Sequence, residues 1–290
     1  MRPDERTPIL EPRQGAPFLF ELARGMERKH VRGSTRLIGL LGALGMLDRP
    51  ALLAISDSLQ IEFPLARTPW DQRDLDNYEI EYIASFAALA QKLPSPVTFI
   101  DVGADIGIFA LKMFAKCPGI QRMITFEPNP EGYSWLLRNL ARLPLPAEAV
   151  CLGVADFEGG ARLVTPEGGD YAANYLQRSN EGPIRVTTLD AYQIRGANVC
   201  LKIDVEGGEA AVLRGAAQTI QSAKSVVIGL EAHPKVCKRT GSDPVECLRL
   251  LQSWHPFEVV VSETGVSLDS SRPVFEQIEP NQIYNLGIFD

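Results

Sequence analysis

The feature that most constrains this chain is the alternation of short apolar runs with segments of helical spacing after residue 96. Apolar runs, many with β-branched residues, recur at 97–102, 123–126, 149–154, 199–204, 225–230, 257–261 and 285–289. Strands that read as continuous apolar runs are typical of parallel sheets, because both faces of such sheets are covered. Since helical segments separate most of the runs, the sequence predicts an α/β fold with a parallel sheet between layers of helices.

The motif Pro94-Ser95-Pro96 follows a helical segment and marks the expected domain boundary, since proline disfavours helix at the residue before it. Residues 1–93 are predicted to form an arm and a mostly helical extension, and residues 94–290 the main domain. Within the extension we expect helices at 34–47, from Arg49-Pro50 and at 76–93, with a strand or hairpin at 55–65. The apolar stretch at residues 37–47 needs a partner surface. We therefore expect the extension to cover the acceptor side of a ligand-binding cleft in the main domain or to mediate a homodimer.

Composition and charge exclude several classes of protein. With 29 basic and 36 acidic residues the formal charge is −7, so no basic excess exists to release counterions from a nucleic acid. The longest apolar window, residues 37–47, is too short to span a bilayer, and the polar N-terminal residues do not resemble a signal peptide. The five cysteines include no C-x-x-C pair, and three lie in apolar runs as buried core residues do. We therefore expect a cytoplasmic protein with neither a membrane nor a nucleic-acid partner.

A glycine-containing turn joins the first apolar run to the helical segment after it, where residues 101–107 read Asp-Val-Gly-Ala-Asp-Ile-Gly. Gly103 permits a tight turn and a close backbone approach, and Gly107 lets the start of the helix lie near the sheet. A ligand at this turn would meet free amides at a helix N-terminus. The G-x-x-x-G spacing is not the dinucleotide G-x-G-x-x-G, and an ordinary strand-to-helix turn is the alternative.

The second run ends in an acid, Glu127, within Phe-Glu-Pro-Asn-Pro at residues 126–130. An acid roughly 20 residues after the glycine turn is where ribose hydroxyls are held, and a carboxylate accepts from both hydroxyls at once. The turn and the acid, in consecutive strand–helix units, together predict an adenosine site. Asp156, after Ala155, ends the third run, where an acid or its neighbours would meet an adenine edge. A solvated loop acid is the alternative for Glu127.

The fourth run leads into Lys-Ile-Asp-Val-Glu-Gly-Gly-Glu at residues 202–209. Asp204 and Glu206 are two residues apart, so an extended backbone points both to one side. There they would position a substrate hydroxyl, take its proton or orient the amine of a cofactor. As the alternative, Glu206 and Glu209 are first-turn helix acids favoured by the macrodipole. Lys202 is expected to pair with an acid rather than to react.

His233 ends the fifth run beside Glu231, and an imidazole accepts a hydroxyl proton readily near neutral pH. The candidate catalytic residues are therefore Asp204, His233 and Glu206. Carboxylates and imidazole at 204, 206, 231 and 233 could also hold a divalent ion. No ligand spacing identifies such a site, so no metal is expected.

Six segments of the chain resemble, in sequence and in order, those of the FkbM-type methyltransferases. They are residues 101–107, 126–130, 188–190, 201–207 with Glu209, 213–216 and 231–233. The resemblance covers about residues 95–262, and the Lys-Ile-Asp-Val-Glu-Gly segment is its most specific part. It implies a doubly wound, mostly parallel, seven-stranded Rossmann-like sheet, S-adenosylmethionine as cofactor, and O-methylation of a sugar or natural-product hydroxyl. The expected cofactor contacts are Asp101, Gly103, Asp105, Gly107, Glu127, Pro128, Asn129, Ala155, Asp156 and Asp204.

Two other functions compete with this interpretation. An NAD-dependent oxidoreductase would also carry a ribose acid, but the chain has neither G-x-G-x-x-G nor a Tyr-x-x-x-Lys pair. A non-catalytic scaffold with a methyltransferase fold is favoured by one departure from the family, which usually has Asn where this chain has Asp105. An added carboxylate there would repel the methionine carboxylate of the cofactor, unless it points away or binds an amine.

Overall fold

The computed structural model divides into two compact units, residues 1–80 and 81–290. It describes residues 19, 22, 25–26, 29, 31–46, 50–56, 58–64, 79–165, 175–269, 272, 276–277 and 284–289. Most of the predicted arm at the start of the chain lies outside the described residues. The division falls at the first residue of a helix that the sequence assigned to the extension, and a domain boundary at residue 93 stays a prediction.

The first unit contains helix α1 (Ser34–Ala43) and the antiparallel hairpin of strands β1 (Pro50–Ser56) and β2 (Leu59–Pro64). The helix starting at Ser34 is confirmed, although it ends four residues earlier than expected. The second helix predicted from Arg49-Pro50 is wrong, because Pro50 begins a strand. Proline is compatible with the first residue of a strand as well as with the first turn of a helix, so it does not decide between them.

The remaining helices are α2 (Ile80–Ala90), α3 (Ile108–Lys116), α4 (Pro130–Leu140), α5 (Glu209–Gly215), α6 (Ala217–Gln221), α7 (Pro234–Thr240) and α8 (Pro244–Trp254). The remaining strands are β3 (Val97–Val102), β4 (Ile120–Phe126), β5 (Ala147–Val150), β6 (Gly153–Val154), β7 (Gly159–Val164), β8 (Tyr175–Arg178), β9 (Ile184–Thr187), β10 (Asn198–Ile203), β11 (Ser225–Ala232), β12 (Glu258–Val261) and β13 (Tyr284–Phe289). Helices α4 and α8 begin with a side-chain cap from Asn129 and Asp243, each followed by proline, a combination that favours helix starts.

Seven strands form the central sheet in the order β12-β13-β11-β10-β3-β4-β5. All are parallel except β13, which runs antiparallel to both of its neighbours. From β3 the chain builds outward to β5 and then returns to β10 on the other side of β3, so strand order reverses between β3 and β10. The predicted α/β fold with a mostly parallel seven-stranded sheet is confirmed. A reversal of this kind is where open α/β sheets bind ligands.

The two central strands explain why the sequence pattern was so clear. Every residue of β3 and of β10 is buried, as expected for strands covered on both faces. Cys117, Cys200 and Cys247 are buried free thiols, which confirms the prediction of core cysteines. Among the helices that the structure describes, none combines the length and apolar character needed to cross a bilayer.

Two expected elements are split. The third run, residues 149–154, is divided between β5 of the central sheet and β6, which pairs with β9 in a second, four-stranded sheet of order β6-β9-β7-β8. The helix expected at 209–223 is two helices, α5 and α6, with Ala216 between them. No proline or glycine pair marks either break, so periodicity alone did not reveal them.

The start of α6 is held by an acid from the short 3-10 helix Leu189–Tyr192. The carboxylate of Asp190 accepts hydrogen bonds from the backbone amides of Gln218 at 3.0 Å and Thr219 at 2.8 Å, and from the Thr219 hydroxyl at 2.9 Å. Asp190 belongs to the Thr-Leu-Asp segment at residues 188–190, and these contacts give that segment a structural role. It caps the helix that otherwise begins without a side-chain cap of its own.

We expect Asp190→Ala to lower the free energy of unfolding by about 1–2 kcal/mol, the usual cost of losing a capping side chain. Urea denaturation followed by circular dichroism measures this change. Glu181 is an exposed acid in a turn, so Glu181→Ala is the control and should lie within about 0.5 kcal/mol of the wild type. Equal midpoints for Asp190→Ala and wild type would contradict the capping role.

Candidate functional site

The candidate site lies where β3 and β10 end side by side. The two strands are parallel and in register, with Asp101 opposite Lys202 and Val102 opposite Ile203. The amide of Asp204 extends the ladder by donating to the carbonyl of Val102 at 3.0 Å. The carboxyl ends of both strands therefore open at the same edge of the sheet, and we call the residues gathered there the strand-end site.

Gly103 is required by the approach of the two strand ends. Its φ of 86° is in the left-handed region, and a Cβ placed on it would overlap the backbone carbonyl of Asp204. Gly107, with φ 90°, starts α3, and a Cβ there would lie 2.9 Å from a methyl of Leu136. The close backbone approach predicted at Gly103 is thus present, and the backbone that Gly103 approaches is that of Asp204, directly after β10.

A buried lysine joins the two strand ends. The Nζ of Lys202 lies 3.1 Å from the carbonyl oxygen of Gly103, 3.1 Å from Asp204 Oδ2 and 3.5 Å from Asp101 Oδ1. Its side chain is 2% exposed, and the ammonium lies 5.2 Å from the ring centre of Phe109. The prediction that Lys202 pairs with an acid is confirmed, and the acids are the two that end β3 and follow β10.

Asp101 is fully buried, and among the described residues no group other than Lys202, at 3.5 Å, donates to its carboxylate oxygens. Burial raises the pKa of Asp101 to about 6, with the nearby Asp204 adding to the rise and Lys202 opposing it. A buried carboxylate with an ion pair at 3.5 Å and no closer donor is suited to accept from an additional cationic N–H group. An ammonium group of a ligand would provide such a donor.

Glu127 and Asp105 face each other across the glycine turn. The carboxylate of Glu127 accepts from the amide of Asp105 and from the amide of Asn129, both at 2.8 Å. Burial, and then the charge of Asp105, raise the pKa of Glu127 to about 7 against the effect of these hydrogen bonds. Asp105 has φ 47°, a conformation that Asn and Asp adopt more readily than most residues.

Asn129, two residues after Glu127, both caps helix α4 and binds the Glu127 carboxylate. Asn129 caps α4 by accepting from the amide of Glu131 at 2.9 Å, and its own amide donates to Glu127. Each carboxylate oxygen of Glu127 retains a lone pair after these contacts, so a ribose hydroxyl can still donate to it. Pro128 lies between the two residues in the same turn. The structure therefore brings Glu127, Asn129 and Asp105 together at the glycine turn.

Three carboxylates gather near the ends of β10 and β11. Oxygens of Asp204, Glu206 and Glu231 all lie within 4.8 Å of one another, and all three residues are half-buried. Burial, and then the charge of Asp204, raise the pKa of Glu206 to about 7. Two of these acids already have cationic neighbours, because Asp204 pairs with Lys202 and Glu206 pairs with Arg239 at 3.0 Å. We call Asp204, Glu206 and Glu231 the acid cluster.

His233 and Glu209 lie next to the acid cluster. Both line a pocket with Glu231, between the end of β11 and helices α5, α7 and α8. Glu209 begins α5 and accepts from the amide of Gly207 at 3.0 Å, which agrees with the alternative of a first-turn helix acid. Glu206 instead has φ 58° and lies before the helix, so this alternative does not apply to it.

Ala155 and Asp156 have contacts of a different kind. Asp156 forms an ion pair with Arg214 of α5 at 2.7 Å, and Arg214 also pairs with Glu246 of α8 at 2.8 Å. The carbonyl of Ala155 lies against Gly215, at the end of α5, where a Cβ would overlap it. These contacts tie β6 to α5, and an adenine contact by either residue stays a prediction.

Sequence reasoning missed Arg239. Arg239 is near the end of the seven-residue helix α7, and its guanidinium lies 5.6 Å from the ring centre of Tyr175 on β8. A helix this short has too little periodicity to be recognised, and the pairing of Arg239 with Glu206 joins residues 33 positions apart. A lysine inside an otherwise apolar strand was, by contrast, a usable signal for the centre of the site.

The sequence is similar to those of known methyltransferases. The sequence model of the methyltransferase FkbM domain matches residues 101–255. The hexuronic acid methyltransferase AglP of Haloferax volcanii is 29% identical over 158 residues, which are 52% of this chain and 59% of that protein. The chain therefore spans less than two thirds of the length of this curated relative.

Solved structures to which this chain is similar include an N-methyltransferase and a protein in complex with AdoMet. The N-methyltransferase NodS of Bradyrhizobium japonicum WM9 has a TM-score of 0.45 and 11% identity, covering 75% of this chain and 98% of its own. TYW2 of M. jannaschii, in complex with AdoMet, has a TM-score of 0.43 and 10% identity, and the match covers 83% of this chain and 84% of that one.

We expect Gly103→Ala to lower the free energy of unfolding by about 2–5 kcal/mol, because a side chain adds left-handed strain and overlaps the Asp204 carbonyl. Chemical denaturation measures the loss. Gly196→Ala is the matched control, since Gly196 also has a positive φ of 61° but no atom within 4 Å of an added Cβ. Only the strain of about 1–2 kcal/mol should remain there. Equal losses in both variants would contradict a close approach of the two strand ends.

Asp105→Asn should make the free energy of unfolding less sensitive to pH between about 5 and 8. Because the pKa of Glu127 is raised from 4.5 to about 7 in the folded protein, stability is lost as the pH rises through this interval. Removing the charge of Asp105 lowers the pKa of Glu127 and reduces that loss. At the higher pH the free energy of unfolding of the variant should therefore increase relative to that of the wild type. Urea denaturation at both ends of the interval measures the difference.

Glu158→Gln is the control for this experiment, because it removes the same charge from an exposed residue that does not act on the pKa of Glu127. It should keep the pH dependence of the wild type. An Asp105→Asn variant with the same pH dependence as the control would show that the charge of Asp105 does not act on Glu127.

Proposed function

This chain belongs to the FkbM methyltransferase family, and from that premise we propose that it transfers a methyl group from S-adenosylmethionine to a hydroxyl oxygen of a sugar-like molecule. The observation that carries the proposal is that two groups of acidic residues lie at the same edge of the sheet. One group is Asp101 with Glu127 of the glycine turn, the other is the acid cluster, and Lys202 pairs with a member of each. The first group is suited to a cofactor and the second to an acceptor hydroxyl.

The residues at the glycine turn fit S-adenosylmethionine, which supplies an activated methyl group on a sulfonium when bound. Asp101 would accept from the methionyl ammonium, because among the described residues its buried oxygens have no donor closer than Lys202, at 3.5 Å. Glu127 would accept from the ribose hydroxyls with its remaining lone pairs. The turn between Gly103 and Gly107 brings the start of α3 beside both acids, and Asp105 adds a carboxylate there.

The acid cluster would position the acceptor hydroxyl and accept its proton. Glu206 is the member best suited to take that proton near neutral pH, because its pKa is raised to about 7. Asp204 is held by Lys202 and would orient the hydroxyl by accepting its hydrogen bond. His233, in the neighbouring pocket with Glu231, would relay the proton outward. In a transfer from an activated donor, positioning and removal of the proton are the work left for the protein.

A sugar acceptor is supported by the relative from Haloferax volcanii, since its name gives a hexuronic acid as the molecule that is methylated. The −7 charge of the chain agrees with a cationic donor and a small acceptor rather than a polyanion. Cytoplasmic location and a homodimer formed through residues 1–93 stay predictions.

Binding of S-adenosylmethionine, measured by calorimetry, tests the cofactor half of the proposal. We expect Glu127→Gln to weaken binding by about 10-fold or more, as expected for the loss of charge-assisted hydrogen bonds. Glu158→Gln is the control and should bind as the wild type does. No heat of binding to folded wild-type protein at high micromolar cofactor would overturn the proposal.

Transfer of a labelled methyl group to a panel of sugars tests the acceptor half. Because Glu206 must be ionised to take a proton, kcat at saturating cofactor should rise as the pH increases through about 7. Glu206→Gln should lower kcat by about 100-fold or more and remove that rise, while leaving cofactor affinity unchanged. Cofactor binding without transfer to any hydroxyl of the panel would instead favour a scaffold.

A further inference from the structure

The end of helix α7 places a guanidinium over the acid cluster. Arg239 Nη2 lies 3.0 Å from Glu206 Oε2, and the guanidinium also lies over the ring of Tyr175. The side chain of Arg239 is 27% exposed, whereas that of Lys202 is 2% exposed. Of these two cations, Arg239 is therefore the one that a ligand arriving from solvent can reach.

Helix α7 is held against the loop that carries Glu206. Gly207 has φ 106°, and a Cβ on it would lie 2.5 Å from the hydroxyl of Thr240, the last residue of α7. That hydroxyl also lies 2.9 Å from the carbonyl of Val236 and 2.9 Å from the hydroxyl of Ser242. Because Arg239 directly precedes Thr240, this close approach keeps its backbone near Glu206.

The chemistry of this arrangement favours a carboxylate as the ligand. A guanidinium presents its donors in a planar fork that matches a carboxylate, and stacking on an aromatic ring fixes the plane of the fork. Glu206 already occupies part of that fork as a carboxylate supplied by the protein itself. Asp204, Glu206 and Glu231 repel an anionic group, and Lys202 is buried, so Arg239 is the position at which such a group can enter.

We propose that Arg239 is a specificity-determining residue that binds a carboxylate of the acceptor beside the hydroxyl to be methylated. The acceptor class is then a sugar acid rather than a neutral sugar. The acceptor carboxylate takes the place of Glu206 on the guanidinium, and Glu206 becomes available to the acceptor hydroxyl. This inference rests on the proposed function, and it adds the group that the protein recognises in the acceptor.

The test compares D-glucuronate with D-glucose, which differ in the carboxylate. Methyl transfer from labelled S-adenosylmethionine gives kcat/KM for each sugar, and calorimetry on the protein saturated with S-adenosylhomocysteine gives the affinity for glucuronate. The wild type should prefer glucuronate, and Arg239→Gln should reduce that preference by about 10–100-fold, the range expected for a charge-assisted contact. Arg239→Lys keeps the charge without the planar fork, so its preference for glucuronate should lie between those of the wild type and Arg239→Gln.

Lys238→Gln is the matched control, since it removes one positive charge from the exposed neighbouring position of the same helix. It should keep the preference of the wild type. Thermal unfolding and cofactor affinity report whether each variant is folded.

The outcomes separate this inference from the function on which it rests. If both sugars are methylated equally well, or if Arg239→Gln keeps the preference, the inference is overturned and the proposed function stands. If glucuronate binds through Arg239 but neither sugar is methylated, the inference stands and the proposed reaction fails. If glucuronate neither binds nor reacts with folded, cofactor-binding protein, Arg239 does not select a sugar acid.

Discussion

The ion pairs of the buried lysine at the end of β10 are the interaction on which the site depends. Lys202 contacts Asp101, Asp204 and the carbonyl of Gly103, so one ammonium joins two strand ends and the glycine turn. Taking these charges out of water is costly, and removing one partner leaves the others unpaired in a buried environment. The parallel pairing of β3 and β10 makes the arrangement possible, because it brings the acids that follow two distant segments to one edge of the sheet.

Crowding of carboxylates gives the site its chemical character. Burial raises the pKa of Asp101 to about 6 and the pKa values of Glu127 and Glu206 to about 7, with a neighbouring acid adding to each rise. Such perturbed groups at a sheet edge are typical of binding and catalytic sites, because a group that titrates near neutral pH can exchange a proton with a ligand. Two cations offset part of this negative charge, since Lys202 pairs with Asp101 and Asp204, and Arg239 pairs with Glu206.

Prediction from sequence succeeded where local pattern and tertiary environment agree. β3, α3 and β10 were recognised because strands buried on both faces are apolar throughout and because the glycine turn separates strand from helix. It failed at Pro50, where proline suits two kinds of element, and at residues 149–154, where β6 leaves the central sheet for a second one. The break between α5 and α6 depends on Asp190, an acid distant in sequence that no periodicity reveals.

The sequence by itself determined the fold class, the family, the glycine turn and the acids that end successive strands, because each is written in a short segment with its own spacing. Only the tertiary structure decided which of those acids meet. It paired Asp156 with Arg214, gathered Glu231 with Asp204 and Glu206, and placed Arg239 over the cluster. These contacts join segments that are tens of residues apart, and their distances follow from strand order and helix placement, which no local pattern contains.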